Sequence, residues 1–207
     1  MLQAPGWAAL AVLMLYLVLF FWGSTRAARA AGRPVWLFGT ATGRDRLAAH
    51  GFRAAFGLAG AGPLLWLTIP PLHKLDPLWT EGRFLVLGLA GAALATLGAL
   101  VALAAQRAMG ASWRVGVREG ETGALVKGGL FRVSRNPTFL GQLLLLTGVA
   151  LAIPSLPTFA GALLFLWSAQ TQIRSEETAL SNAHGEDYDR FLRHVPRWIG
   201  WTQRGAE

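Results

Sequence analysis

Two polar clusters in this 207-residue chain carry side chains fit for chemistry. The first is Gly128 to Gly141, reading G-G-L-F-R-V-S-R-N-P-T-F-L-G, with Arg135 and Asn136 directly ahead of Pro137. The second is R-S-E-E-T-A-L, from Arg174 to Leu180. Arg can hold a carboxylate in a bidentate fork, Glu can bind an ammonium or accept a proton, and Asn both donates and accepts hydrogen bonds. Between the clusters an apolar run extends from Thr138 to Ile173, interrupted only at Pro154-Ser155-Leu156-Pro157. If both halves are helices, the chain enters a membrane and returns, and the two clusters meet at the mouth of one helical hairpin. Ionisable groups at membrane depth are costly, which makes them functional candidates.

Each cluster also has a plainer reading. Arg174 and Glu177 share a helix face and fit a solvated ion pair on an exit helix. Arg135 fits one more positive charge beside a membrane span. Asn136 before Pro137 fits a helix cap followed by Pro in the first turn. Tyr188, in Gly-Glu-Asp-Tyr, fits an interfacial anchor. Spacing alone supports a polar pocket at one membrane face and no particular reaction.

The elements that must position these clusters follow from composition. The chain is 53% hydrophobic and 14% charged, with long runs lacking charge, which defines an integral membrane protein. Cysteine is absent, so disulfides, thiolate metal sites and a cysteine nucleophile are excluded. The four His are scattered without ligand spacing, and no metal site is expected. The net charge of +8 sits in loops beside apolar runs, which points to anionic lipid and to cytoplasmic loops rather than to nucleic acid. The predominance of Arg over Lys, with abundant Ala, Gly and Leu, points to a GC-rich bacterial genome.

The hydrophobic pattern predicts an all-α integral membrane domain with five transmembrane helices, at about 5–22, 54–70, 84–106, 138–153 and 157–173. The last two form the hairpin, and a tail over 174–207 carries an amphipathic helix from Glu186 to His194, stopped by Pro196. Gly88, Gly91, Ala95 and Gly98 recur at three- and four-residue spacing in the third span, as close helix packing requires. The glycines of spans two and three lack the strand–turn–helix context of a nucleotide loop. The aromatic stretch Pro34 to Phe38 and the residues Trp198 and Trp201 are expected at the membrane interface. Seventeen of the nineteen Lys and Arg residues fall on one predicted side. The positive-inside rule makes that side cytoplasmic and puts the N-terminus outside, in a bacterial inner membrane. Both polar clusters then face the cytoplasm.

The order G-L-F-R-V-S-R-N-P-T-F-L-G, then E-E-x-x-L, then G-E-D-Y-x-x-F-x-x-x-V-P-R resembles the isoprenylcysteine carboxyl methyltransferase family. More widely it is similar to the membrane methyltransferases that include phospholipid N-methyltransferases. The similarity runs from about Leu125 to Trp198. It implies a small bundle that binds S-adenosylmethionine between the loop before span four and the tail after span five. By motif position, Leu125, Val126 and Gly129 would line the cofactor, Arg135, Asn136, Pro137 and Phe139 would form its wall, and Glu177, Leu180 and Tyr188 would close it. The resemblance further places Glu177 at the methionine ammonium and Arg174 at the reacting group, the two residues expected to carry catalysis. The carboxyl methyltransferases usually have His and Tyr where this chain has Asn136 and Phe139, so a prenylated cysteine substrate does not follow from the motif.

The implied partners are the bilayer and a lipophilic or lipidated acceptor, with no nucleic acid. Other readings remain at this point: a phospholipid amine N-methyltransferase, an NADPH-dependent sterol-type reductase, or a non-catalytic membrane scaffold. The sequence is silent on oligomeric state and on the acceptor.

Overall fold

The computed structural model describes residues 2–40, 42–79, 84–116 and 124–200. Among them the regular structure is helical. Five long helices stand where spans are expected: α1 (Ala4–Ala31), α2 (Gly43–Thr68), α4 (Leu85–Met109), α5 (Pro137–Ala152) and α6 (Leu156–His184). Two short ones, α3 (Pro70–Lys74) and α7 (Glu186–His194), complete the set. The stretches Ala4–Ala31 and Leu85–Ser112 are long and apolar enough to cross a membrane, and α5 is a shorter apolar helix. Leu15 and Val18 on α1, Val86 and Leu100 on α4 and Leu163 on α6 are exposed, an outward apolar surface that lipid would cover.

α1 and α2 run further than hydropathy alone predicts. Their polar, Arg-bearing turns are helical too, because Ala and Arg are good helix formers. The connection between them is correspondingly short. The stretch Pro34 to Phe38 packs largely into the protein rather than lying on its surface. Val35, Leu37 and Phe38 are buried. Trp36 and Val115 form an isolated parallel bridge, in which Val115 N–H donates to Val35 O at 2.7 Å and Leu37 N–H to Val115 O at 2.8 Å. Trp198 likewise packs half-buried against the core rather than outside it, and Trp201 lies outside the described residues. The break before α7 falls at Gly185, whose φ of 51° suits glycine.

The hairpin of α5 and α6 is looser than its short turn implies. The tightest pairings are α5 with α4 and α6 with α2, while α5 and α6 touch each other less. Glycine explains the first pair. A Cβ at Gly91 would lie 2.5 Å from Ala152 N, and one at Gly141 2.5 Å from Ala102 N and 2.6 Å from Gly98 O. Backbone meets backbone along this seam, as small residues permit. Gly161 does the same for α6, since its Cβ would approach Ala55 O at 2.8 Å. At the turn, the buried Asp76 accepts hydrogen bonds from Trp66 Nε1 (2.8 Å), Leu78 N (2.9 Å) and Leu156 N (2.7 Å). It therefore caps the start of α6 from the α3–α4 connection and ties down the end of the hairpin opposite the polar clusters.

Candidate functional site

A cleft opens where α5 and α6 separate, enclosing with its mouth about 890 Å³. Its walls come from all the long helices and from the segments that flank the hairpin. The residues before α5 and the chain after α7 are laced together. Arg135 N donates to Pro196 O at 2.9 Å, Asn136 Nδ2 to Arg197 O at 3.1 Å, and Arg135 Nη1 to Leu192 O at 3.3 Å. Asn136 occupies the cap position of α5 but makes no side-chain cap bond, because its amide is turned to the tail.

Of the residues expected at the site, Leu125, Val126, Arg135, Asn136, Pro137, Phe139, Glu177, Leu180 and Tyr188 all line this cleft. Gly129 does not. It takes a φ of 59° where a single 3-10 turn starts, a backbone role. Arg174 does not join them either. It is exposed and lies outside the lining, although Glu177, three residues on, belongs to it. Glu177 consequently pairs with other guanidiniums than the sequence suggests. Arg135 Nη2 lies 3.1 Å from its Oε1, Arg197 Nε donates to Oε1 at 3.0 Å, and Arg197 Nη2 pairs with Oε2.

Glu176 has a different environment. The residue is half-buried, lines the cleft, and makes no hydrogen bond or ion pair among the described residues. Burial raises its pKa above the ordinary carboxylate value; Arg114 opposes this and Glu177 adds to it. Arg114, itself buried, lines the same cleft. Tyr188 is buried, and desolvation first and Glu177 second push its hydroxyl up to about 12, so it remains a donor at working pH. At the outer edge, Lys127 pairs with the exposed Asp187 and holds that carboxyl below its usual range.

Sequence reasoning missed the inner walls. Phe20 from α1, Phe52 from α2 and Trp113 after α4 are buried aromatic lining. Thr138, Gln142 and Gln172 add neutral polar groups to the lining from within the apolar runs. The signal was present in the two glutamines, which are unusual fillers for spans. Gln142 Nε2 donates to Tyr16 Oη at 2.7 Å, whereas Gln172 Nε2 and Thr138 Oγ1 are buried without a partner among the described residues.

The arrangement gives a cleft with aromatic lining, two carboxylates in unlike settings and several uncommitted donors. The family model of the phospholipid methyltransferases matches residues 86–187, a little under half of the chain. No curated protein matches the chain. The matched family consists of methyltransferases that use S-adenosylmethionine, and the chain is an enzyme of that kind. That family sits within the membrane methyltransferase superfamily that also holds the isoprenylcysteine carboxyl methyltransferases. With its apolar helices, the match makes this a membrane protein.

Proposed function

We propose that the chain moves a methyl group from S-adenosylmethionine to a carboxylate on a lipophilic, isoprenylcysteine-like acceptor, at the cytoplasmic face of a bacterial inner membrane. The observation that carries this reading is the cleft itself. It gathers nine of the residues expected from the sequence, from both sides of the hairpin, into one lining. The bound donor would supply an electrophilic methyl on a sulfonium. Glu176 takes the donor's ammonium, because Glu177 is already committed to Arg135 and Arg197. Leu125, Val126, Leu180 and Phe139 give apolar contact, and Tyr188 offers a hydroxyl.

An acceptor carboxylate, with an ordinary pKa near ~3.5–4, is ionised at neutral pH and requires no general base. Methyl transfer to such an oxygen would leave the electron pair of the broken carbon–sulfur bond on sulfur and would require no proton movement, so the chain would need to supply no base. The protein's part is alignment and exclusion of water by Phe20, Phe52 and Trp113. Arg174 has no part in this scheme.

The family match favours a second reading, transfer to a phospholipid amine. There the ammonium must first lose a proton, and a carboxylate with a raised pKa such as Glu176 is a suitable acceptor. Calorimetric titration with S-adenosylhomocysteine and NADPH tests the donor; micromolar binding of the first alone is expected, and binding of NADPH alone would replace the methyltransferase reading with the reductase one. Transfer of a labelled methyl to N-acetyl-S-farnesylcysteine but not to phosphatidylethanolamine is the expected result for the acceptor. The reverse would establish the amine reading.

A further inference from the structure

Three polar side chains in the lining of the cleft each bury a polar atom without a hydrogen-bond partner among the described residues. Gln172, on α6, is 3% exposed, and its Nε2 has no partner among the described residues. Thr138 Oγ1, on the first turn of α5, is buried in the same condition, and so is Arg135 Nε, three residues earlier. All three residues line the cleft. Gln142, the other amide there, differs because its Nε2 is already given to Tyr16.

The start of α5 adds to this set. Asn136 makes no side-chain cap, and Pro137 has no N–H, so the amides of Thr138 and Phe139 are left at a helix N-terminus with its partial positive charge. Charge points the same way. Arg135 and Arg197 share the single carboxylate Glu177, which leaves one positive charge over at the head of α5. Buried donors of this kind are paired in native proteins by protein, water or ligand.

We propose that the first turn of α5 and the Gln172 amide form an oxyanion floor that holds the carboxylate of the methyl acceptor. This rests on the methyltransferase reading and assigns its acceptor subsite. Thr138 Oγ1, Gln172 Nε2 and Arg135 Nε donate to the acceptor oxygens, and the surplus guanidinium charge balances the acid. A floor made of donors discriminates against an ammonium head and against a carboxamide, which carries its own N–H groups. Glu176, one turn along α6 from Gln172, stays with the methyl donor.

The test uses the full chain in lipid nanodiscs, saturated with S-adenosylhomocysteine, titrated with N-acetyl-S-farnesylcysteine and with its carboxamide. The wild type is expected to prefer the acid by at least tenfold. Gln172→Leu and Thr138→Val should each weaken acid binding about tenfold and flatten that preference, while S-adenosylhomocysteine affinity stays within twofold and certifies the fold. Gln172→Glu should weaken the acid further by like-charge repulsion. A wild type without preference for the acid, or variants that keep it, would overturn the floor. So would loss of S-adenosylhomocysteine affinity in both variants, since the donors would then serve the methyl donor's own carboxylate. Failure of the wild type to bind S-adenosylhomocysteine would instead count against the methyltransferase reading and leave the acid preference as a separate result.

Discussion

Glu176 and Glu177 are neighbours in sequence with opposite duties. Glu177 anchors two guanidiniums that belong to the two ends of the site, whereas Glu176 presents a half-buried, unpaired carboxyl to the cleft. Glu176→Gln should weaken S-adenosylhomocysteine binding by about 10- to 100-fold, the value of one charge-assisted hydrogen bond. Glu177→Gln should cost about 1–3 kcal/mol of stability and less affinity. The opposite ranking, read by calorimetry and denaturation on the same samples, would reverse the assignment. The pH dependence has a definite sign. Because the folded-state pKa of Glu176 is raised, its contribution to stability is full below the ordinary carboxylate pKa and is lost as pH rises through the raised value. Affinity for a donor ammonium runs the other way and falls as pH drops through that value. Asp187 behaves oppositely to Glu176 in stability: its contribution is present above the ordinary Asp pKa and is lost as pH falls through the lowered one.

At the scale of elements, the glycines of α4 and α5 decide how close the site's main helix can come to its support. Gly98→Ala would press a methyl into the backbone of α5 at Gly141 O, 2.5 Å away, where no side chain can yield. A loss of about 3 kcal/mol is expected, at the upper end for overpacking. Gly57, on α2, meets nothing within 4 Å, and Gly57→Ala should gain up to about 1 kcal/mol from helix propensity. Comparative denaturation in one detergent reads both, and equal effects would contradict the packing. The spacing of Gly91 and Gly98 made this contact legible in the sequence. The helical extent of α1 and α2, and the burial of Pro34 to Phe38, were not legible. Hydropathy marks where lipid can be, and these turns are held by the Trp36–Val115 bridge, a pairing across about eighty residues that no local pattern encodes. Arg135 to Phe139, Leu180 and Tyr188 could be read because their motif is contiguous. Arg174 could not be placed, because its side of α6 depends on how the helix packs on α2.

For the whole molecule, the expected orientation puts α3 outside and the site inside. The chain has no cysteine, so single introduced ones report sidedness cleanly. Leu75→Cys, at an exposed position after α3, should react with an impermeant maleimide on intact cells. Arg193→Cys, exposed on α7, should react only after permeabilisation. Exchange of the two patterns would invert the topology and move the site to the outer face.

The loose join between α5 and α6 has a mechanical meaning. One helix is fastened to α4 and α1, the other to α2, so the molecule amounts to two stiff blades joined at the Asp76-capped turn and laced at the far end through Glu177, Arg135 and Arg197, with the cleft as the gap between them. A ligand seated there touches both blades and adds a second clasp to that lacing. Its binding free energy is added to the work of parting the blades, and heat or a bulky lipid chain alike must work against both.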